Sequence, residues 1–155
     1  VLGIQSGDIK NNVLTINRAI NCRNQITEGK NQNARRRIYL NKIARKIISE
    51  NQFRNGRLAT PWIFCSKTGG PLSQSTLRNA WLKVAAERKL PAGSCPYSLR
   101  HTFVSLFKNE MPEAMLKSIV GHSASMDTYG IYGHVVNGEM EAASRIIDIN
   151  FEKYT

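Results

Sequence analysis

Apolar residues recur along this chain in two rhythms. Val13-Leu14-Thr15-Ile16 is β-branched and strand-like, and Arg36-Arg37-Ile38-Tyr39-Leu40 alternates as a strand should. Gly7-Asp8 and Asn11-Asn12 are turn signals before the first of these. The polar stretch from Asn21 to Asn33 reads as turns with room for a short strand. Together these predict a small antiparallel sheet near the N-terminus. The rhythm then becomes helical, with Leu40, Ile43, Ala44, Ile47 and Ile48 on one side. Pro61-Trp62-Ile63-Phe64 reads as a short buried segment, closed by a turn at Gly69-Gly70-Pro71. Ser73 or Ser75 can cap a helix carrying Leu77, Trp81, Val84 and Ala85, and both tryptophans are expected in the core. Another helix starts near Ser98, with Leu99, Phe103, Leu106 and Phe107 inward. Pro112 suits the first turn of the next, whose core face is Met115, Leu116, Ile119 and Val120, and Gly121 is placed to end it. A last helix from about Gly138 uses Met140, Ala143, Ile147 and Phe151. The expected class is α+β, mostly α.

Composition narrows the field. With 155 residues, 41% of them apolar, the chain can bury one core, and disorder is excluded. No run approaches the roughly 18 apolar residues of a membrane span, and the first residues show no signal-peptide pattern. Cys22, Cys65 and Cys95 are odd in number and far apart, which argues for a reducing compartment, the cytoplasm. Neither CxxC nor HExxH occurs, so no metal site is expected.

Charge adds a partner. Lysine and arginine number 22 against 11 acidic residues, a net charge of +11. Residues 1–100 hold 18 basic and 4 acidic side chains, net +14, whereas residues 101–155 hold 4 and 7, net −3. The densest part is Arg35, Arg36 and Arg37, followed by Lys42, Arg45 and Lys46. Such a patch suits a polyphosphate backbone through Coulomb attraction and counterion release. The arginines lie in strand-like sequence rather than on an amphipathic helix, which disfavours a membrane surface.

Three short stretches carry the chemistry: Tyr97 to Phe103, Gly121-His122-Ser123, and Asp127 to His134. An arginine at position 100, a histidine 22 residues on and a tyrosine ten further form the set that phosphodiester transfer through tyrosine requires. The guanidinium of Arg100 offers a planar fork for non-bridging phosphate oxygens. His122 adds a hydrogen bond, and the phenol of Tyr132 is the nucleophile.

In these motifs the chain resembles the tyrosine recombinase (phage integrase) family. Ser98-Leu99-Arg100-His101-Thr102-Phe103 resembles its second-arginine box, Gly121-His122-Ser123 its histidine box, and Tyr132-Gly133-His134 the nucleophile with its trailing histidine. Gly29-Lys30, followed by the Arg36–Leu40 strand, is similar to the hairpin that carries the catalytic lysine, which falls on Lys30. The resemblance implies a helical catalytic domain with a small sheet, acting on double-stranded DNA as a homo-tetramer. It implies neither a cofactor nor a small-molecule substrate. Lys30 would be the general acid, Arg35, Arg36 and Arg37 would hold DNA phosphates, and His134 would support Tyr132. The helix beyond Tyr132 resembles the tail that docks on a neighbouring subunit. His101 is expected to be buried and structural.

Two departures stand out. The family's first arginine lies a few residues before Leu2, so residues 1–155 read as a partial catalytic domain, lacking that arginine and the N-terminal DNA-clamping domain. Tyr97 stands where the family usually has a histidine, three residues before Arg100. A phenol there can still hydrogen-bond phosphate, but imidazole acid–base chemistry is lost. Two alternatives stay open: a non-catalytic DNA-binding module of the same fold, and a type IB-like topoisomerase.

Overall fold

A computed structural model describes residues 2–21, 23–27, 35–121 and 138–153. The chain starts with a 3₁₀ turn at Ser6–Asp8 and a hairpin of β1 (Ile9–Lys10) and β2 (Val13–Ile16). Asn11 and Asn12 between them both have positive φ, 50° and 63°, as a two-residue hairpin loop demands. β5 (Arg36–Tyr39) pairs antiparallel with the other edge of β2, with Ile16 opposite Arg36 and Val13 opposite Tyr39. β3 (Ala19–Ile20) and β4 (Ile26–Thr27) form a separate two-stranded sheet. Its turn is held by Asn21, whose side-chain oxygen accepts from the amides of Arg23 and Gln25, each at 2.9 Å. The predicted single sheet is therefore two small ones.

Five α-helices follow among the described residues: α1 (Lys42–Asn55), α2 (Gln74–Glu87), α3 (Ser98–Phe107), α4 (Glu113–Val120) and α5 (Glu139–Glu152). Ser73 caps α2 by accepting from the Thr76 amide, and Pro112 stands just before α4 rather than inside its first turn. The segment at Trp62 and Ile63 is buried as expected but is not a strand. It bridges back to Gln5, and Ile63 donates to the carbonyl of Ile4 at 3.1 Å. An ion pair of 2.5 Å between buried Asp8 and Arg18 ties the opening turn to the sheet.

The main core joins Phe107, Met111, Leu116, Val120 and Ile147, with Phe103 and Phe151 packed against it. α5 packs on its own chain in this structure. Its first turn is acidic, and its apolar face meets the α3–α4 core. Asp148 of α5 also accepts from the Lys42 amide, at 3.0 and 3.2 Å, and so caps α1.

One predicted helix face is rotated. On α3 the inward positions are Arg100, Phe103, Val104 and Phe107, while Leu99 is 59% and Leu106 41% exposed. Helical spacing alone allows both stripes, and hydropathy favours the one without an arginine. The structure buries the other, because Phe107 must reach Met111 and Ile147. Ile43 and Ile47 of α1 and Leu77 and Val84 of α2 are likewise exposed. Trp62 is buried and Trp81 half-buried. No helix among the described residues is long and apolar enough to cross a membrane.

The rotation is checked by truncation. Phe107→Ala should destabilise by about 3–5 kcal/mol, and Leu99→Ala by less than about 1 kcal/mol, in urea denaturation. Equal losses would put Leu99 in the core.

Candidate functional site

The site is built on the last turn of α4. A helix leaves its final carbonyls without intrahelical partners, and these carry the partial negative charge of the helix dipole. Arg100, in the first turn of α3, donates from Nη1 to the carbonyl of Val120. Arg36, at the start of β5, donates from Nε to the carbonyl of Ile119 at 2.9 Å. Two guanidinium groups thus hold neighbouring carbonyls of one helix end. Gly121 closes that end in the left-handed region, at φ +72°.

The neighbouring cations influence each other. Burial first, and then the Arg100 charge, lower the pKa of Arg36 from its ordinary value. An arginine stays protonated even so, and the consequence is a dense local positive field. The Nε atom of Arg100 is buried and has no hydrogen-bond partner among the described residues. A buried, unsatisfied donor on a cation is costly in a resting protein. It is well suited to an incoming anion.

α3 is held in place by the loop before it. The indole Nε1 of Trp81 donates to the Ser94 carbonyl at 2.9 Å, which fixes α2 against the approach to α3. Tyr97 sits at the N-cap, 58% exposed, with its ring 5.9 Å from the Arg100 guanidinium carbon. Its other neighbour is His101, edge to face, with ring centroids 5.0 Å apart. His101 is exposed, which corrects the expectation of a buried structural histidine. One position beyond Arg100 on the helix, it turns outward as Arg100 turns in.

The structure thus brings Arg100, Tyr97 and Arg36 to one region. Arg35 and Arg37 are exposed, and Arg36 alone of the three is half-buried. Lys30, His122, Tyr132 and His134 lie outside the described residues. The inward turn of Arg36 had a signal in the sequence. Strand alternation places it on the face of Ile38, opposite to Arg37.

Two features were not anticipated. An apolar cleft of about 1070 Å³ runs between the sheet and α2, lined by Leu14, Ile16, Ile38, Leu77 and Trp81, with Arg36 and Cys95 on its wall. Cys95 has its thiol pKa lowered, by the Ser98 side chain first and then by the backbone amides of Ser98 and Tyr97. Its sulfur lies 3.8 Å from Ser98 Oγ. Only its place just before a helix start hinted at this.

The described residues define a mostly helical α+β domain whose distinctive chemistry is a pair of arginines at one helix end. The chain belongs to the phage integrase family, which it matches over residues 2–139. Among solved structures it is similar to the Tn1549 transposon integrase. One such structure, in complex with circular intermediate DNA, has a TM-score of 0.69 at 21% identity and covers 94% of this chain and 54% of that one. A substituted form bound to a circular intermediate DNA gives 0.69 and 21%, covering 94% and 52%. Another substituted form, with transposon right end DNA, gives 0.65 and 22%, covering 95% and 53%. At such identity the likeness is one of fold, and the chain spans about half the length of these structures. No curated protein matches it.

A lowered thiol pKa places more thiolate at neutral pH. Iodoacetamide at pH 7 should therefore label Cys95 before Cys65, and Ser98→Ala should move the pH–rate profile of Cys95 upward. Peptide mass spectrometry reads both, and faster labelling of Cys65 would contradict the assignment.

Proposed function

We propose that this chain is the greater part of the catalytic domain of a site-specific tyrosine recombinase from a mobile element, completed in a longer polypeptide by a preceding arginine. The observation that carries this reading is Arg100. It is half-buried, fixed by one nitrogen to the end of α4, and its Nε is buried without a partner among the described residues. Membership of the phage integrase family supplies the reaction class, and the integrases of similar fold were captured with DNA.

In this reading Tyr132 attacks a scissile phosphate of double-stranded DNA. The phosphorus–5′-oxygen bond breaks, leaving a 3′-phosphotyrosine and a 5′-hydroxyl. Lys30 gives the proton to the departing oxygen. Arg100 and His122 stabilise the negative charge of the pentavalent transition state, together with the preceding arginine. His134 supports the nucleophile. Tyr97 would hydrogen-bond phosphate but do no acid–base work. The exposed Arg35 and Arg37 hold backbone phosphates and so position the duplex without reading its sequence. The 5′-hydroxyl of a partner strand reverses the step, and the phosphotyrosine keeps the bond energy, so no nucleotide cofactor is needed. Four copies would assemble on DNA in the cytoplasm.

A nicked suicide substrate tests this. The recombinase polypeptide containing residues 1–155 and the preceding arginine should form a covalent DNA adduct that Tyr132→Phe abolishes. Arg100→Ala should slow its formation by about 100-fold or more. Binding without any adduct would favour the DNA-binding module instead.

A further inference from the structure

Arg36 belongs by sequence to a run of three arginines, and charge alone would assign all three to DNA phosphate. Its surroundings differ from those of its neighbours. The side chain turns inward and spans 83 positions of sequence to hydrogen-bond the carbonyl of Ile119. Its planar group then lies directly beneath Gly121. A Cβ built on Gly121 would come within 2.7 Å of Nη1, 3.0 Å of Cζ and 3.2 Å of Nε. A side chain there would push the guanidinium away from its bond to the Ile119 carbonyl, and the φ of +72° independently favours glycine. The guanidinium therefore sets the surface against which the chain leaves α4. His122 is the next residue after Gly121.

We propose that Arg36 is a positioning residue that fixes the α4 terminus at Gly121, and through it Arg100, rather than a ligand of DNA phosphate. The inference rests on the recombinase reading above. Arg36 holds the Ile119 carbonyl while Arg100 holds that of Val120, so the two guanidiniums are spaced by one peptide unit. Loss of Arg36 would release one side of that spacing. A lysine would keep the charge yet lose the flat contact under Gly121, because an ammonium is a point charge without a planar fork.

Single-turnover cleavage of a suicide substrate, with DNA affinity measured alongside at several salt concentrations, distinguishes the possibilities. For Arg36→Lys and Arg36→Gln the rate constant at saturating DNA should fall about 10- to 100-fold. The Kd for DNA should stay within about twofold and its salt slope should not change. A phosphate ligand would behave in the opposite way, with the salt slope lowered by about one and the saturated rate kept. That result would overturn the proposal, as would wild-type rates in both variants. A role in stability alone would reduce the amplitude of the reaction and leave the rate constant of the active fraction unchanged, which also counts against positioning.

Gly121→Ala supplies the second readout. Its clash with the guanidinium disappears when Arg36 is replaced, so Gly121→Ala should slow cleavage less in the Arg36→Gln background than in the wild type. Additive effects would mean that the two residues do not act through each other. If the wild-type polypeptide forms no adduct, the recombinase reading fails and takes this proposal with it. If the wild type cleaves and the Arg36 variants cleave as fast, only the proposal fails.

Discussion

Two cations share the end of one short helix, and the arrangement of the domain follows from that. Guanidinium groups repel each other, so they sit side by side only where negative charge is supplied between them. The carbonyls of Ile119 and Val120 supply it, and each hydrogen bond is charge-assisted. The pairing also draws distant parts of the chain to one place. Arg36 comes from the strand that closes the N-terminal sheet, Arg100 from α3, and the acceptors from α4. Val120, whose carbonyl takes the Arg100 bond, is itself part of the hydrophobic core with Phe107 and Leu116.

In the proposed reaction this geometry would act by preorganisation. An arginine that swings freely in solvent must be ordered when phosphate arrives, and the lost rotamer freedom weakens its help. Arg100 is already ordered, by the Val120 carbonyl on one side and the Tyr97 ring on another. Electrostatic stabilisation of a transition state is strongest when donors need not move as charge develops. Trp81, through its bond to Ser94, extends that rigidity to the loop from which α3 begins.

Much of this was legible in the sequence, though unevenly. Helix starts and stops were marked by residues with definite backbone chemistry: Ser73 at the start of α2, Gly121 at the end of α4 and Gly138 at the start of α5. The Asn11-Asn12 turn was equally plain. Which face of α3 is buried was not, because a stripe through Leu99 and Leu106 and one through Arg100 and Phe107 differ by a single residue. Hydropathy counts arginine as outward, and a site that needs an arginine inward defeats it. The same bias grouped Arg36 with Arg35 and Arg37, although strand alternation separated it from Arg37. His101 was misplaced for a related reason, since turning Arg100 inward carries its neighbour to the surface. The division of the sheet in two depended on Asn21 gathering two amides, a contact that composition does not announce.

The cap that Asp148 places on Lys42 has a consequence for how the protein is made. The two residues are 106 positions apart, so the start of α1 leaves the ribosome long before its cap exists. Until α5 emerges and docks, α1 keeps the Asn41 cap alone, and the apolar residues that await Ile147 remain open to water. The core around Phe107 and Leu116 therefore stays unfinished until α5 has been synthesised. Docking of α5 supplies both Ile147 to that core and the Asp148 carboxylate to the start of α1.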